Sequence, residues 1–182
     1  MKWGGAALFR RDGQKWKLKW YLRRLIIKDC ITVRNNDRRD ILVCTDTDGG
    51  QGDFWRTLSV IDLAHQAGLR EHVLLTITDN VLTCGVSGNF ERIVPIQKAV
   101  FTEVTFDSAL AVLGAKVEFG RRNITEDAAR KCEDARSKKS KVFAPLAPAT
   151  KIHNLSYDFD GKQFYIKPES RKDEALVTSN PP

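Results

Sequence analysis

The Asp12-Gly13 dipeptide constrains the fold of this chain most, because it predicts a tight β-hairpin close to the N-terminus. Both residues tolerate the positive φ angles that a two-residue hairpin loop requires. The pairing around this turn sets apolar residues opposite one another: Phe9 and Trp16, Ala7 and Leu18, Gly5 and Trp20. Since side chains alternate along a strand, we expect this face to be buried and the other face to meet water.

Cations dominate the other face of the hairpin and its flanks. The candidate anion-binding residues are Arg10, Arg11, Lys15, Lys17, Lys19, Arg23 and Arg24. The whole chain is also basic, with 30 Lys and Arg against 23 Asp and Glu and a formal net charge of +7. Such a surface attracts anions. The expected partner is an anionic membrane headgroup or an acidic protein surface, with nucleic acid as the next option.

The four cysteines are widely spaced and form no C-x-x-C pair, so a structural zinc site is not expected. Three of them lie in apolar, strand-like stretches, and we interpret these three as small buried hydrophobic residues. This favours a reducing, cytoplasmic compartment, with a peripheral position at a membrane as one option. The longest apolar run, around residues 109–113, is far too short to span a bilayer. No cofactor is expected.

The pattern along the chain predicts one β-rich domain over 1–137, followed by three appendages. Within the domain, Asp53 and Gly68 bracket a predicted helix at about 54–68, and Thr125 begins a second helix that runs to about 136. A hairpin is predicted around Asp79-Asn80. The appendages are a basic, Pro-containing linker at 138–151, a docking β-hairpin at 152–167 and a disordered tail at 168–182.

Parts of the sequence resemble a known superfold. They are LLTITDNVLTCG (74–85), FERIVPIQKAVFTEV (90–104), ITEDAARKCEDARSK (124–138) and GQKWKLKWYLRR (13–24). The first three resemble GRAM and bacterial variants of the pleckstrin-homology superfold, and the fourth is similar to the first hairpin of ordinary pleckstrin-homology domains. The resemblance implies a barrel that grips inositol phosphates through Arg11, Lys17 and Lys19. Both hairpins would occupy the same place in one barrel, so the resemblance leaves open which of them belongs to it.

The segment ILVCTDTDGG (41–50) offers an alternative from another functional class. Asp46 and Asp48 end an apolar strand and point the same way, as a magnesium site and a phosphoryl-accepting carboxylate require. The segment is similar to the first motif of haloacid-dehalogenase-type phosphatases, and Lys98 matches the third. Gly50 replaces the usual threonine, however, and arginines stand near Gly120 where the later metal-binding acids are expected. This alternative requires 41–46 to be a central parallel strand beside 73–77.

Taken together, these patterns predict an α+β fold of mainly antiparallel hairpins. The hairpins are expected to form a small barrel or strongly bent sheet, capped by one or two helices. We expect a non-enzymatic binding or scaffold protein that contacts an acidic partner within a larger assembly. A degenerate magnesium-dependent phosphatase centred on Asp46 and Asp48 is the alternative.

Overall fold

The structure is a computed structural model that describes residues 5–23, 27–34, 40–50, 52–62, 70–87, 92–138 and 146–178. Its strands are β1 (Gly5–Asp12), β2 (Lys15–Arg23), β3 (Ile27–Arg34), β4 (Asp40–Gly50), β5 (Asp53–Asp62), β6 (Arg70–Asp79), β7 (Val86–Ser87), β8 (Arg92–Ile93), β9 (Ile96–Asp107), β10 (Val112–Arg122), β11 (Lys151–Phe159) and β12 (Phe164–Ile166). Its α-helices are α1 (Glu126–Ser137) and α2 (Arg171–Thr178), and 3₁₀ turns cover Val81–Thr83 and Pro168–Ser170.

Two four-stranded sheets form the body of the molecule. Sheet I has the strand order β3-β4-β5-β6, and sheet II has the order β12-β11-β10-β9. The strands β1 and β2 form a separate two-stranded ribbon, and β7 pairs with β8. Every pairing is antiparallel. The prediction of mainly antiparallel strands with two helices is confirmed, but no pairing among the described strands closes a barrel.

The core lies between sheets I and II. One contiguous cluster of buried side chains joins Val43 and Leu58 of sheet I to Leu113 and Leu155 of sheet II. Alternate residues of β10 point into this cluster, because successive side chains of a strand face opposite sides. Each large apolar side chain that is fully buried in this way stabilises the folded state by roughly 1.5–3 kcal/mol. The fold therefore depends on two layers that cover each other.

The helix predicted at 54–68 is wrong over the residues the structure describes. Residues 53–62 form β5, which pairs with β4 on one side and β6 on the other. The apolar spacing was misleading because β5 is buried on both faces, with Leu58 in the core and Ile61 buried on the outer face. A strand buried on both faces loses its alternation and can mimic helical periodicity. The remainder of the predicted helix, 63–68, lies outside the described residues.

The hairpin predicted around Asp79-Asn80 is also wrong, because β6 pairs with β5 and the chain crosses towards sheet II. Asn80 is buried at this crossing and is fully used in hydrogen bonds. Its Nδ2 donates to the Pro95 carbonyl at 3.1 Å, and its Oδ1 accepts from the Gln97 amide at 2.6 Å. These bonds satisfy the carbonyl of Pro95 and the amide of Gln97 at the start of β9. The side chain of Asn80 thereby fixes this crossing, where a tight hairpin turn was predicted.

The predicted helix beginning at Thr125 is confirmed as α1. The Thr125 hydroxyl accepts a hydrogen bond from the Ala128 amide at 3.3 Å, which satisfies one of the free amides of the first turn. The residues Glu126 and Asp127 also lie in that turn, where negative charge is favourable. Local cap chemistry was therefore sufficient to place this helix.

The C-terminal part of the chain is more ordered than its composition predicts. The 152–167 hairpin is present, but β11 also pairs with β10 and thereby extends sheet II. The prediction of a disordered tail is wrong for 168–178, which form a 3₁₀ turn and α2, with Val177 buried in the core. Of the predicted linker, 139–145 lie outside the described residues, and Pro148 is buried.

Candidate functional site

The predicted N-terminal hairpin is present as the β1–β2 ribbon. Its loop is Gly13-Gln14, one residue later than expected, with Gly13 at φ +61°. The pairing is therefore shifted by two residues, and Phe9 lies opposite Leu18 instead of Trp16. Glycine reaches such positive φ angles without steric cost, which explains why the turn centres on this residue.

The ribbon sorts its side chains by face, but its apolar face is not buried. The register and strand alternation place Phe9, Trp16 and Leu18 on one face, and Arg10 and Lys17 on the other. The three apolar side chains are 52%, 67% and 56% exposed, respectively. The prediction that this face is covered is wrong for these residues. The side chain of Trp20 lies outside the described part of the chain.

Four of the predicted anion-binding residues converge on one recess of the ribbon. The recess has a volume of about 270 Å³ and is lined by Arg10, Arg11, Asp12, Lys17 and Lys19. The ribbon has a β-bulge at Lys19, which has no register partner between Leu18 and Trp20. Bulges increase the local twist of a strand pair and re-aim side chains. The structure therefore gathers a concave, cationic surface from both strands.

Hydrogen bonds within the recess are few and exposed. Lys17 forms an ion pair with Asp12, and both side chains are largely exposed to solvent. The Nε of Arg11 donates to the Gly13 carbonyl at 3.0 Å. Exposed ion pairs contribute little stability, so Lys17 can exchange Asp12 for another anion at small cost.

The remaining three residues of the predicted anion-binding set are Lys15, Arg23 and Arg24. Lys15 lies opposite Asp12 beside the turn and is exposed. Arg23 ends β2, and its side chain is outside the described part of the chain. Arg24 lies outside the described residues.

The structure does not place Asp46 and Asp48 as the phosphatase alternative requires. Both residues lie on β4, which is antiparallel to β3 and β5, and residues 73–77 belong to β6 on the far side of β5. Asp46 is 6% exposed, and its Oδ1 has no hydrogen-bond partner. Lys98 forms an ion pair with Glu118 at 2.8 Å. In the described part of the chain, no three His, Cys, Asp or Glu side chains are grouped to hold a metal ion.

The cysteines are paired, which corrects the interpretation of three of them as small hydrophobic residues in a reducing compartment. Cys30 and Cys44 are register partners on β3 and β4 and form a disulfide. Cys84 forms a second disulfide with Cys132, which ties α1 to the segment that follows β6. Structural disulfides persist mainly in oxidising compartments, so the argument for a reducing compartment no longer holds. Among the residues described, no helix reaches the length and apolar character of a membrane span.

A cleft between the two sheets was missed at the sequence level. It has a volume of about 290 Å³ and opens between the edge strands β3 and β9. The lining residues are Asp29, Cys30, Ile31, Val43, Thr45, Phe101, Thr102, Glu103 and Val104. The lining residues of sheet I lie within 29–45 and those of sheet II within 101–104, and only the packing of sheet I on sheet II brings them together.

Comparison of the chain with family models, with curated proteins and with solved structures finds no match. The resemblance to the pleckstrin-homology superfold therefore stays a prediction. The functional assignment depends on the geometry of the ribbon and of the cleft.

Proposed function

We propose that this chain is a non-enzymatic binding or scaffold protein whose β1–β2 ribbon docks onto an acidic protein surface. The observation that carries the proposal is the exposed apolar face of the ribbon, with Phe9, Trp16 and Leu18 each more than half exposed beside a cationic recess. An isolated pair of strands is only marginally stable in water. Contact with a partner would cover the apolar face and pair the cations.

The distribution of charge favours a protein partner over a lipid bilayer. Arg11 is the register partner of Trp16, so the aromatic face itself carries a cation, while Arg10 and Lys17 lie on the opposite face. The ribbon therefore has no uncharged face that could enter the acyl region of a bilayer. Exposed aromatic residues next to arginines are typical of the centres of protein interfaces.

The two disulfides support a non-reducing setting for this interaction. Disulfides of small domains form and persist in secreted, periplasmic or cell-surface proteins. We therefore include an oxidising compartment in the proposal, in place of the cytoplasmic one that the cysteine spacing suggested.

Binding measurements with three probes test the proposal. The probes are an acidic glutamate–tyrosine copolymer, vesicles of phosphatidylserine and phosphatidylcholine, and single-stranded RNA. We expect the wild-type protein to bind the copolymer most tightly, and to bind it roughly tenfold more weakly when the salt concentration rises from 0.05 to 0.5 M, because screening weakens contacts between exposed charges.

Two variants of equal net charge separate the contribution of the ribbon to binding from that of the overall charge. The ribbon variant Arg10→Glu/Lys17→Glu should lose binding to the copolymer, whereas Lys131→Glu/Lys172→Glu changes the same charge at exposed positions of α1 and α2 and should retain it. Equal binding by both variants would refute a role for the ribbon. Tighter binding to the vesicles or to the RNA than to the copolymer would refute the acidic protein partner.

A further inference from the structure

We propose that the acidic partner is a second copy of this chain, whose β3–β9 cleft receives the β1–β2 ribbon. This inference rests on the proposed function and names its partner. The chain carries both halves of a complementary pair: an apolar ribbon with cationic flanks and an apolar cleft with an acidic rim. Each half is on the surface, and the two halves belong to different parts of the molecule.

The floor of the cleft is an exposed part of the sandwich interior. Ile31 and Val43 contribute from sheet I, and Phe101 and Val104 contribute from sheet II. Val43 belongs to the buried core, and the other three pack against it while remaining only partly buried. At about 290 Å³, the cleft lies at the small end of ligand pockets, a size that suits one or two inserted side chains.

The rim of the cleft carries negative charge, opposite in sign to the excess of cations on the ribbon. Asp29 and Glu103 line the opening and are both exposed. Glu103 forms an ion pair with Lys116, and both side chains of this pair are about half exposed. Since such surface pairs contribute little, Glu103 can exchange Lys116 for a cation of the incoming ribbon at small cost.

The ribbon matches this arrangement in its order of side chains. Trp16 and Phe9 provide apolar groups that fit an apolar floor, and Arg11 lies on the same face as they do. Arg10 and Lys17 lie on the opposite face, and their long side chains line one recess together with Arg11, beside the aromatic face. An apolar centre within a polar and charged border is the usual anatomy of a protein interface. Docking would also cover the β3 edge of sheet I and the β9 edge of sheet II, each of which pairs with a single strand of its sheet in the described part of the chain.

The proposed contact joins two different surfaces, so it is a head-to-tail contact. Each copy would offer its ribbon to one neighbour and its cleft to another, which builds a chain of copies or a closed ring. The net charge of +7 makes copies repel one another at a distance. At 0.15 M salt the Debye length is about 8 Å, so this repulsion is screened while direct contacts persist.

Sedimentation velocity at 0.15 M salt over a rising protein concentration tests the proposal. We expect the sedimentation coefficient of the wild-type protein to increase with concentration. The ribbon variant Arg10→Glu/Lys17→Glu and the cleft variant Asp29→Lys/Glu103→Lys should each remain monomeric. The control Lys131→Glu/Lys172→Glu should associate like the wild type, and far-UV circular dichroism should show that all variants are folded.

Mixing the two defective variants gives the sharpest readout. The cleft variant keeps an intact ribbon and the ribbon variant keeps an intact cleft, so the mixture should associate although neither variant does so alone. The reversed charges of the altered ribbon also face the reversed charges of the altered cleft, so the second contact is compensated as well. A wild-type protein that stays monomeric throughout, a cleft variant that associates like the wild type, or a mixture that stays monomeric would overturn the inference.

Binding to the glutamate–tyrosine copolymer distinguishes a failure of this inference from a failure of the proposed function. The cleft variant retains the ribbon and gains positive charge, so it should bind the copolymer at least as tightly as the wild type. If the wild type is monomeric but binds the copolymer through its ribbon, only the second-copy partner is refuted. If the ribbon variant binds the copolymer as tightly as the wild type, the proposed function fails as well.

Discussion

The β1–β2 ribbon and sheet II are built from the same kind of antiparallel strand pair, yet they bury very different amounts of apolar surface. Leu18 on the ribbon is 56% exposed, whereas Leu155 on β11 is 1% exposed. Alternation along a strand determines which side chains share a face. Whether that face is buried depends on a second layer, which sheet I supplies for sheet II. The ribbon therefore retains an apolar face on which Phe9, Trp16 and Leu18 are exposed.

Removing the disulfide between Cys84 and Cys132 should have the largest effect on the body of the protein. The two cysteines are 48 residues apart, and closing a loop of this length stabilises the folded state by about 4 kcal/mol in the chain-entropy description. We expect Cys84→Ser/Cys132→Ser to lower the free energy of unfolding by about this amount in urea denaturation. Copolymer binding by the folded variant should be unchanged. A loss below about 1 kcal/mol would contradict the expectation.

Two matched leucine substitutions compare the regions directly. Leu155→Ala removes a core side chain and should lower the free energy of unfolding by about 3 kcal/mol. Leu18→Ala removes the same atoms from an exposed site and should change the free energy of unfolding by less than about 0.5 kcal/mol. Urea denaturation of both variants measures the difference. Similar losses for both substitutions would mean that the ribbon face is covered.

Features with local causes could be predicted from the sequence. The turn at Gly13 and the helix that Thr125 caps depend on neighbouring residues alone, and both are present. The sorting of Phe9 and Lys17 to opposite faces also follows from alternation. The exact pairing could not be derived, because moving the loop by one residue shifts the register by two residues and changes every partner. The bulge at Lys19 then sets Trp20 opposite Leu8, a change that no local signal predicts.

Features that depend on distant parts of the chain could not be predicted. Residues 53–62 were misassigned because distant parts of the chain determine their structure: β4 and β6 pair with them on either side, and Leu58 is buried between the two sheets. No spacing rule relates Cys84 to Cys132, and only the placement of α1 brings them together. The cleft between β3 and β9 likewise exists only once the two sheets pack.

Polar contacts should also contribute more to stability in sheet II than in the ribbon, although by less than the apolar contacts do. Hydrogen bonds from Lys98 at 2.8 Å and from Thr150 at 2.7 Å lower the pKa of Glu118 on β10. Because this pKa lies below its ordinary value of 4.5, ionised Glu118 stabilises the fold above that pH, and the contribution is lost as the pH falls through the lowered value.

We therefore expect Glu118→Gln to lower the free energy of unfolding by about 0.5 kcal/mol at pH 7, with a smaller difference at pH 3, because the stabilisation is lost as the pH falls through the lowered pKa. Asp12→Asn breaks the exposed ion pair with Lys17 on the ribbon and should cause no measurable change at pH 7. Urea denaturation at both pH values gives the comparison. A loss for Glu118→Gln that persists undiminished at pH 3 would exclude the ionised carboxylate as its source.

Hydroxyl-radical footprinting of Trp16, with Tyr157 as an internal reference, tests most directly whether the ribbon is an uncovered docking surface. Trp16 is 67% exposed and Tyr157 is 2% exposed. Trp16 should be oxidised far faster than Tyr157 in the free protein and should become protected when the glutamate–tyrosine copolymer is added. Protection of Trp16 in the free protein, or copolymer binding that leaves its oxidation rate unchanged, would contradict the assignment.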